Sequence, residues 1–403
     1  MYRPAMISFS PEDDEKQLAA AAQRFAQAEL RPHLRAHEKA RALPAAVQAS
    51  FHGLGLVGLD LPGALGFGGL PLLTRALVEE ELGAGDAGAS VALDATGPAG
   101  QLIAALGTAD QQSAFLQPFL DDPGRAAALA AAESSPGPDF ATAAIREGDA
   151  WVLRGEKRYV LGGARASLFV VLAQVEAGGG LAGAGAFVVD RAAAGPTLVV
   201  TEDRDPVGLA EVPPCSVRLD GVRVPAAARL GSGDLRAALR GVLIRQALAS
   251  AARGLGCARA AFEVARRYAE DRIAFGKPIG HFQAIAFLLA DMATELDGAR
   301  LLLWRGCGAF DRNAADAELR AAQAIVHAHA ATFFVTSNAV QILGGAGYVQ
   351  DHPVEKWMRD AKALALHVLP TQAAQALAIA AGAGEPVADE DLFCFFALQP
   401  ALT

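Results

Sequence analysis

The sequence predicts an α+β multidomain protein: a helical domain, then a small β domain, then a helical bundle. Three observations predict it. The 403 residues exceed one ordinary core. Helix-period apolar patterns fill both ends of the chain, and short apolar runs between Gly and Asp residues fill the middle. With 52% hydrophobic residues and few Tyr or Trp, the chain has ample material for burial and leans helical. The expected boundaries are 1–125, 126–233 and 234–385, with a tail over 386–403.

In chain order, Ser10 before Pro11-Glu12-Asp13 reads as a helix start, with acids near the positive end of the dipole. That helix should run to about Leu30, with Leu18, Ala22, Phe25 and Ala26 on one side. Helical patterns recur over 44–53, 71–82, 87–106 and 109–120, split by Gly and Pro. Strands are expected at Ala127–Ala132, Trp151–Leu153, Leu168–Val175, Ala186–Val189, Thr197–Val200 and Ser216–Leu219, with a glycine-rich hairpin or loop over Gly178–Gly185. Helical periodicity returns at Asp234. In the helix opened by His281-Phe282, Phe282, Ile285, Leu289, Met292, Leu296, Ala299 and Leu303 form one apolar seam, suited to a bundle. The tail turns acidic, then apolar.

The net charge of −9, from 35 basic and 44 acidic residues, disfavours a nucleic-acid binder. Cys215, Cys257, Cys307 and Cys394 are too far apart for a metal set or a disulfide framework, so a reducing cytoplasm is the simplest setting. The N-terminal residues lack an apolar segment of signal-peptide type. No run of about 18 uncharged apolar residues suggests a membrane span. GLGLVG at 53–58 matches a dinucleotide-binding glycine pattern, but a helix precedes it and LDLPG follows, so it reads as a helix stop and tight turn. His327 and His329 stand two apart on a helix and face different sides. Asp86, Asp94 and Glu79–Glu81 make no recognisable ligand set, and no metal site is expected.

Two stretches carry chemistry: Tyr268–Thr294 and Gln341–Gln372. Arg272 ends a helix just before a turn at Phe275-Gly276, where its donor fork suits a pyrophosphate. Gln283 suits a nucleotide sugar or phosphate, and Gln341 a base or ribose. Gly344-Gly345 lets the backbone approach a ligand closely. On spacing alone, helix capping by Arg272 and Gly344 is the simpler reading.

The pieces ELGAGDAG, LGTADQQ at 106–112, GDAWVLRGEKRYVLGG at 148–163, YAEDRIAFGKPIGHFQ at 268–283 and QILGGAGYVQDHPVEKWMRDAK at 341–362 resemble the acyl-CoA dehydrogenase family over nearly the whole chain. The resemblance implies a helical domain, a β-barrel-like middle domain and a C-terminal four-helix bundle. It implies FAD, acyl groups on CoA or a carrier, and a homodimer, tetramer or hetero-oligomer. It also implies that Arg272, Phe275 and the Gln341–Gly345 loop grip the ADP part of an FAD whose ring lies mainly in a neighbouring subunit. The Gln372 position matches too.

The flavin-ring side departs from the family pattern. Where the family reads Thr-Glu-Pro-Gly-Ala-Gly-Ser-Asp, this chain has Ala132 for the threonine and Pro138 for the serine. The next family run, Trp-Ile-Thr, reads Tyr159-Val160-Leu161, which loses a further hydroxyl and adds a phenol. By register from Met358-Arg359-Asp360-Ala361-Lys362, the family's glutamate base falls at Val368, and the alternative position on the first C-terminal helix falls at Gln246. Neither is a base, and α-proton removal needs one. The substitutes are His367 and Asp94. Three readings follow: an acyl-CoA dehydrogenase-type enzyme with a displaced base, a non-catalytic subunit lending ADP-side contacts to a partner's FAD, or a flavin monooxygenase or oxidase on the same fold.

Overall fold

The computed structural model describes residues 11–134, 139–202, 205–231 and 233–385. The proposed Ser10 cap, Pro138, Cys394 and the 386–403 tail lie outside the described residues. The first helix, α1 (Asp13–Phe25), carries Asp13, Asp14 and Glu15 in its first turn. The Glu12 N–H donates to the Glu15 carboxylate at 2.9 Å, so the reciprocal cap is made by Glu12. A π-helical turn over Ala26–Leu30 leads to α2 (Leu34–Ala40), which the sequence pattern does not announce. The next helix, α3 (Ala45–Gly53), stops at a turn in which Gly55 and Gly58 have φ of 69° and 61°, so GLGLVG is a helix stop.

The helix α4 spans Leu72–Gly85. The expected 87–106 helix is two, α5 (Ala87–Leu93) and α6 (Gly97–Leu106). Asp94 lies between them, and its carboxylate accepts the Gly97 N–H at 3.0 Å, a local bond that competes with helix continuation. The 109–120 helix likewise divides into α7 (Ala109–Leu116) and α8 (Pro118–Asp121), because Pro118 cannot donate to the helical ladder.

The middle domain is one curled sheet of β1 (Ala127–Ala130), β2 (Ala143–Glu147), β3 (Ala150–Leu161), β4 (Leu168–Gln174), β5 (Ala184–Asp190), β6 (Leu198–Glu202) and β7 (Pro214–Pro225), with the one-turn α9 (Arg191–Ala194) after β5. The strand order is β1-β4-β2-β3-β7-β6, and β5 pairs with β4. The strand β2 ends in the exposed Arg146 and Glu147 and has no apolar run, so the sequence does not betray it. The strand β3 extends far beyond Trp151–Leu153. Its charged residues share one long ladder with β7, broken by register shifts at Leu153/Arg154 and Lys157/Val160.

The C-terminal domain opens with α10 (Leu235–Asp271), followed by the short strands β8 (Ile273–Ala274) and β9 (Lys277–Pro278). Then come α11 (Gln283–Asp311), α12 (Ala317–Leu343), α13 (Gly345–Tyr348), α14 (Val354–Leu364) and α15 (Thr371–Ala383). Helices α10, α11 and α15 all pack against α12, giving the bundle. Met292, Leu296, Ala299 and Leu303 of the α11 seam are buried, and Ile285 and Leu289 are partly so.

Helices α4 and α10 touch backbone to backbone. A Cβ on Gly83 would stand 2.2 Å from the Arg253 carbonyl, and one on Gly256 would stand 1.9 Å from the Glu80 carbonyl. This approach draws the charged residues of both helices into one buried layer. Among the described residues, no helix is long and apolar enough to cross a membrane.

Candidate functional site

At one end of the bundle, Arg272 ends α10, and its carbonyl accepts the Ile279 N–H at 2.9 Å. Phe275 and Gly276 turn the β8–β9 hairpin with φ of 51° and 81°. Phe275 is 97% exposed. Among the described residues the exposed Arg272 guanidinium makes no hydrogen bond or ion pair. Gln283 opens α11 on the surface. Gln341 is exposed on the last turn of α12, before Gly344 with φ 58° and ψ −129°, a conformation that favours glycine. A Cβ on Gly344 or Gly345 would meet nothing within 4 Å, so this backbone lies open.

The Tyr268 ring meets His352 edge-on at 5.9 Å, tying the end of α10 to the segment after Gly345. The structure thus brings Arg272, Phe275, Gln283, Gln341, Gly344 and Gly345 to one end. An unpaired guanidinium, an exposed ring, two amides and bare backbone suit the ADP half of FAD. Gln372 is elsewhere. Its neighbour Thr371 bonds His329 Nδ1 at 3.0 Å on α12, roughly 18 Å from Gln341 at the helical rise. Burial holds His329 down to about 4, so it is neutral, whereas His327 is part-exposed, 3.6 Å from Glu295.

Tyr159 lies at the second irregularity of β3, half-exposed and with φ 54°. The loop beside it is anchored from within. Glu133 accepts the Lys157 ammonium at 2.6 Å and the N–H groups of Ala141 and Thr142 at 2.6 and 2.9 Å. The Ala132 carbonyl accepts the Arg158 N–H at 2.8 Å. Glu133 thus ties Ala141 and Thr142 to Lys157, while Ala132 has no hydroxyl to offer.

The base region is the surprise. Val368 is the centre of a γ-turn: the Leu369 N–H donates to the His367 carbonyl at 2.8 Å, and Val368 has φ 66°. That is a strained conformation for a β-branched residue. Ser250 Oγ donates to the Leu364 carbonyl at 3.4 Å. One turn earlier on α10 is Gln246, and Val368 packs on a cluster that includes Leu239, Val242 and Leu243 of the same helix. Val368 thus packs on a cluster whose α10 members Val242 and Leu243 lie about one turn from Gln246.

Asp94 is tied to Gln246 through one guanidinium. Arg75 Nη2 donates to Asp94 at 2.7 Å and to Gln246 Oε1 at 3.4 Å. Arg75 Nη1 donates to both Asp60 oxygens at 3.1 Å. Arg253 donates to Glu79 at 2.6 and 2.8 Å, to Ser90 at 3.1 Å and to Asp94 at 3.2 Å. Burial raises the Asp94 carboxyl, but Arg75, Arg253 and the Gly97 N–H outweigh it and hold it below the usual carboxylate range. His367 is within electrostatic reach of Arg253 and Asp94. Burial, helped by Arg253 and opposed by Asp94, pushes it down to about 3. Asp60, Arg75, Glu79, Ser90 and Asp94 line a cavity of about 20 Å³ together with Phe51, Leu59 and Leu93.

Sequence reasoning names Asp94, His367, Gln246 and Val368 and misses Arg75 and Arg253, which organise them. Their signal is legible: each is a lone arginine inside an apolar helical run, PLLTRALV and ALASAARGLGC.

The chain matches the acyl-CoA dehydrogenase N-terminal domain over residues 12–122, the middle domain over 128–222 and the C-terminal domain over 235–367. It is 34% identical over 316 residues to the cyclohex-1-ene-1-carbonyl-CoA dehydrogenase of Geobacter metallireducens, covering 77% of this chain and 83% of that one. It is 34% identical over 348 residues to the mitochondrial short-chain specific acyl-CoA dehydrogenase of Homo sapiens, covering 84% and 82%. The fold matches the butyryl-CoA dehydrogenase from Megasphaera elsdenii with a TM-score of 0.87 at 27% identity, covering 94% of this chain and 100% of that one.

Proposed function

Since the chain belongs to the acyl-CoA dehydrogenase family of FAD-dependent oxidoreductases acting on CH–CH groups, we propose that it oxidises an acyl thioester with Asp94 as the proton acceptor. The chemistry FAD supplies when bound is hydride acceptance. Arg272, Phe275, Gln283, Gln341 and the Gly344-Gly345 backbone would hold the ADP half of an FAD whose ring lies mainly in a neighbouring subunit, and Tyr159 would stand on the ring side of this chain's own FAD. Acyl-CoA substrates and homo-oligomers are typical of the family. Cys215, Cys257 and Cys307 are buried thiols outside any disulfide, which suits a reducing, cytoplasmic setting.

The observation that carries the proposal is the place of Asp94. Asp94 accepts from Arg75, which also donates to Gln246, and it lies within electrostatic reach of His367 beside Val368. Its lowered pKa keeps it ionised and able to accept a proton at neutral pH. The same lowering makes it a weak base, which suits a proton already acidified by conjugation with the thioester. The Geobacter relative's name specifies an acyl group with a ring double bond of that kind. His367 is neutral and so also free to accept a proton, but it fits less well, because it is desolvated and next to Arg253.

The test is bleaching of the flavin absorbance by acyl-CoA thioesters, saturated and α,β-unsaturated, with the chain purified alone and its FAD content measured. Asp94→Asn should keep FAD and slow bleaching by ~10²–10⁴-fold, while His367→Asn stays within about tenfold of wild type. Bleaching that survives Asp94→Asn unchanged sinks the assignment.

A second reading is favoured by the exposure of the ADP-side set together with the double arginine clamp on Asp94. In it, the chain lends those contacts to the FAD of a related catalytic partner. Flavin would then appear only in a mixed complex, at half occupancy per chain. One FAD per subunit in the chain alone excludes that reading.

A further inference from the structure

The LDLPG turn that follows GLGLVG brings Asp60 to the Asp94 network. Its flanks are pinned: the Leu70 N–H donates to the Leu59 carbonyl at 2.8 Å and the Gly69 N–H to the Leu61 carbonyl at 2.9 Å. Asp60 stands between them. Both its oxygens accept from Arg75 Nη1 at 3.1 Å, and Oδ2 also accepts from Gln101 Nε2 at 2.5 Å. The other amino group of the same guanidinium, Nη2, donates to Asp94 at 2.7 Å. Asp60 and Asp94 therefore compete for one cation. Burial lowers the Arg75 pKa, but Asp60, Asp94 and Glu79, in that order, raise it beyond that loss, so Arg75 stays charged.

The neighbouring charges have partners of their own. Glu79 lies 3.5 Å from Arg75 Nε, but it accepts from Arg253 at 2.6 Å and from Ser90 at 3.0 Å. Glu80 and Glu81 are taken by Arg300 and Arg259. His367, pushed down to about 3 by burial, carries no charge at neutral pH. Asp60, Glu79 and Asp94 thus share two buried guanidiniums, Arg75 and Arg253, and one carboxylate charge is left in excess. A proton taken up by Asp94 brings this layer to neutrality. Charges act on one another strongly where water is excluded, so the excess favours that uptake.

We propose that Asp60 is a positioning residue for proton transfer to Asp94. By drawing on the Arg75 guanidinium, it limits how far that cation neutralises Asp94 and so keeps Asp94 able to accept the proton. The proton leaves a substrate carbon, which keeps the electron pair, and ends on the Asp94 carboxylate. The inference rests on the reading of Asp94 as the proton acceptor.

The test uses the full-length, FAD-loaded protein and stopped-flow bleaching of its flavin at neutral pH. The probes are butyryl-CoA and 2-hexenoyl-CoA, each with and without deuterium at the carbon that loses the proton (the α-carbon and the γ-carbon). Asp60→Asn keeps the shape of the side chain and removes its charge. It should slow bleaching by the faster substrate about tenfold and enlarge the isotope effect, with that thioester's dissociation constant within about threefold of wild type. Asp60→Glu should recover most of the rate. Gln101→Met takes a donor from Asp60 and strands no other group, because Gln101 Oε1 has no partner. Asp60 then draws harder on Arg75, and bleaching should quicken about threefold. This variant carries the test where Asp60→Asn does not fold. Asp60→Asn at the wild-type rate overturns the inference. So does a Gln101→Met protein that is slowed or unchanged, the result expected of a merely structural turn. If Asp94→Asn bleaches like the wild type, or if neither thioester bleaches the wild type, the reading of Asp94 as base falls and takes the inference with it.

Discussion

Val368 shows how much one residue can carry. A β-branched side chain at φ 66° costs on the order of 1–2 kcal/mol relative to an ordinary conformation. The γ-turn is held from both sides, by the Leu369-to-His367 bond and by the burial of Leu369. The turn has therefore kept its shape without a group able to take a proton. Val368→Glu restores a carboxylate there, and flavin bleaching by butyryl-CoA should rise at least ~10²-fold over wild type. A Val368→Glu protein that holds FAD and stays inert would place the defect on the Ala132 and Tyr159 side instead. That residues 368 and 246 are not carboxylates was legible in the sequence alone. That Asp94 comes within electrostatic reach of His367 was not, because 273 positions of chain separate them (367 − 94).

At the scale of elements, the α4–α10 contact builds the site. Glycines at 83 and 256 let the two helices meet closely enough for Arg253 to reach Glu79 and Asp94. In Gly256→Ala the new methyl would lie 1.9 Å from the Glu80 carbonyl, and backbone cannot swing aside. We expect a loss of about 3 kcal/mol or more in urea unfolding. Arg253→Met should cost a similar ~3–5 kcal/mol by a different route, because it leaves Glu79 buried without its main partner. The long helices and apolar strands were legible by period. The division of 87–106 was not, because the Asp94 cap on Gly97 is one side-chain bond inside an otherwise continuous helical pattern. The strand β2 was missed because its exposed charges hide the alternation.

At the scale of the molecule, the three domains meet on a buried cluster that the sequence did not announce. Lys356 Nζ on α14 lies 2.8 Å from Asp86, 2.7 Å from Asp360 and 3.1 Å from Glu211, which comes from the segment before β7. His37 Nδ1 of α2 is 3.9 Å from Asp86. Three buried carboxylates share one buried ammonium. Burial, and then the Asp86 charge, raise the Glu211 carboxyl to about 8 against the pull of Lys356. A carboxyl raised on folding contributes its full stability below the ordinary glutamate range. That contribution declines as the pH climbs toward the folded value. Glu211→Gln mimics the protonated form, so its urea midpoint should gain on wild type between pH 5 and pH 8, by an amount on the order of 1–3 kcal/mol. Equal pH slopes for the two proteins would refute a protonated Glu211.

The sequence by itself determined the family, the order of helical, β and helical domains, and the residue types that stand at Arg272, Gln341, Val368 and Gln246. Each of these is a matter of local period, turn chemistry or residue type at a known register. Only the tertiary structure decided which side chains gather between α4 and α10. Arg75, Arg253, Asp94, Gln246 and His367 come from segments far apart in the chain. Their charge pairing and the lowered pKa values of Asp94 and His367 exist only once α4 and α10 have closed on each other and excluded water. Electrostatics of that kind depends on distance and burial, and neither is written in residue order.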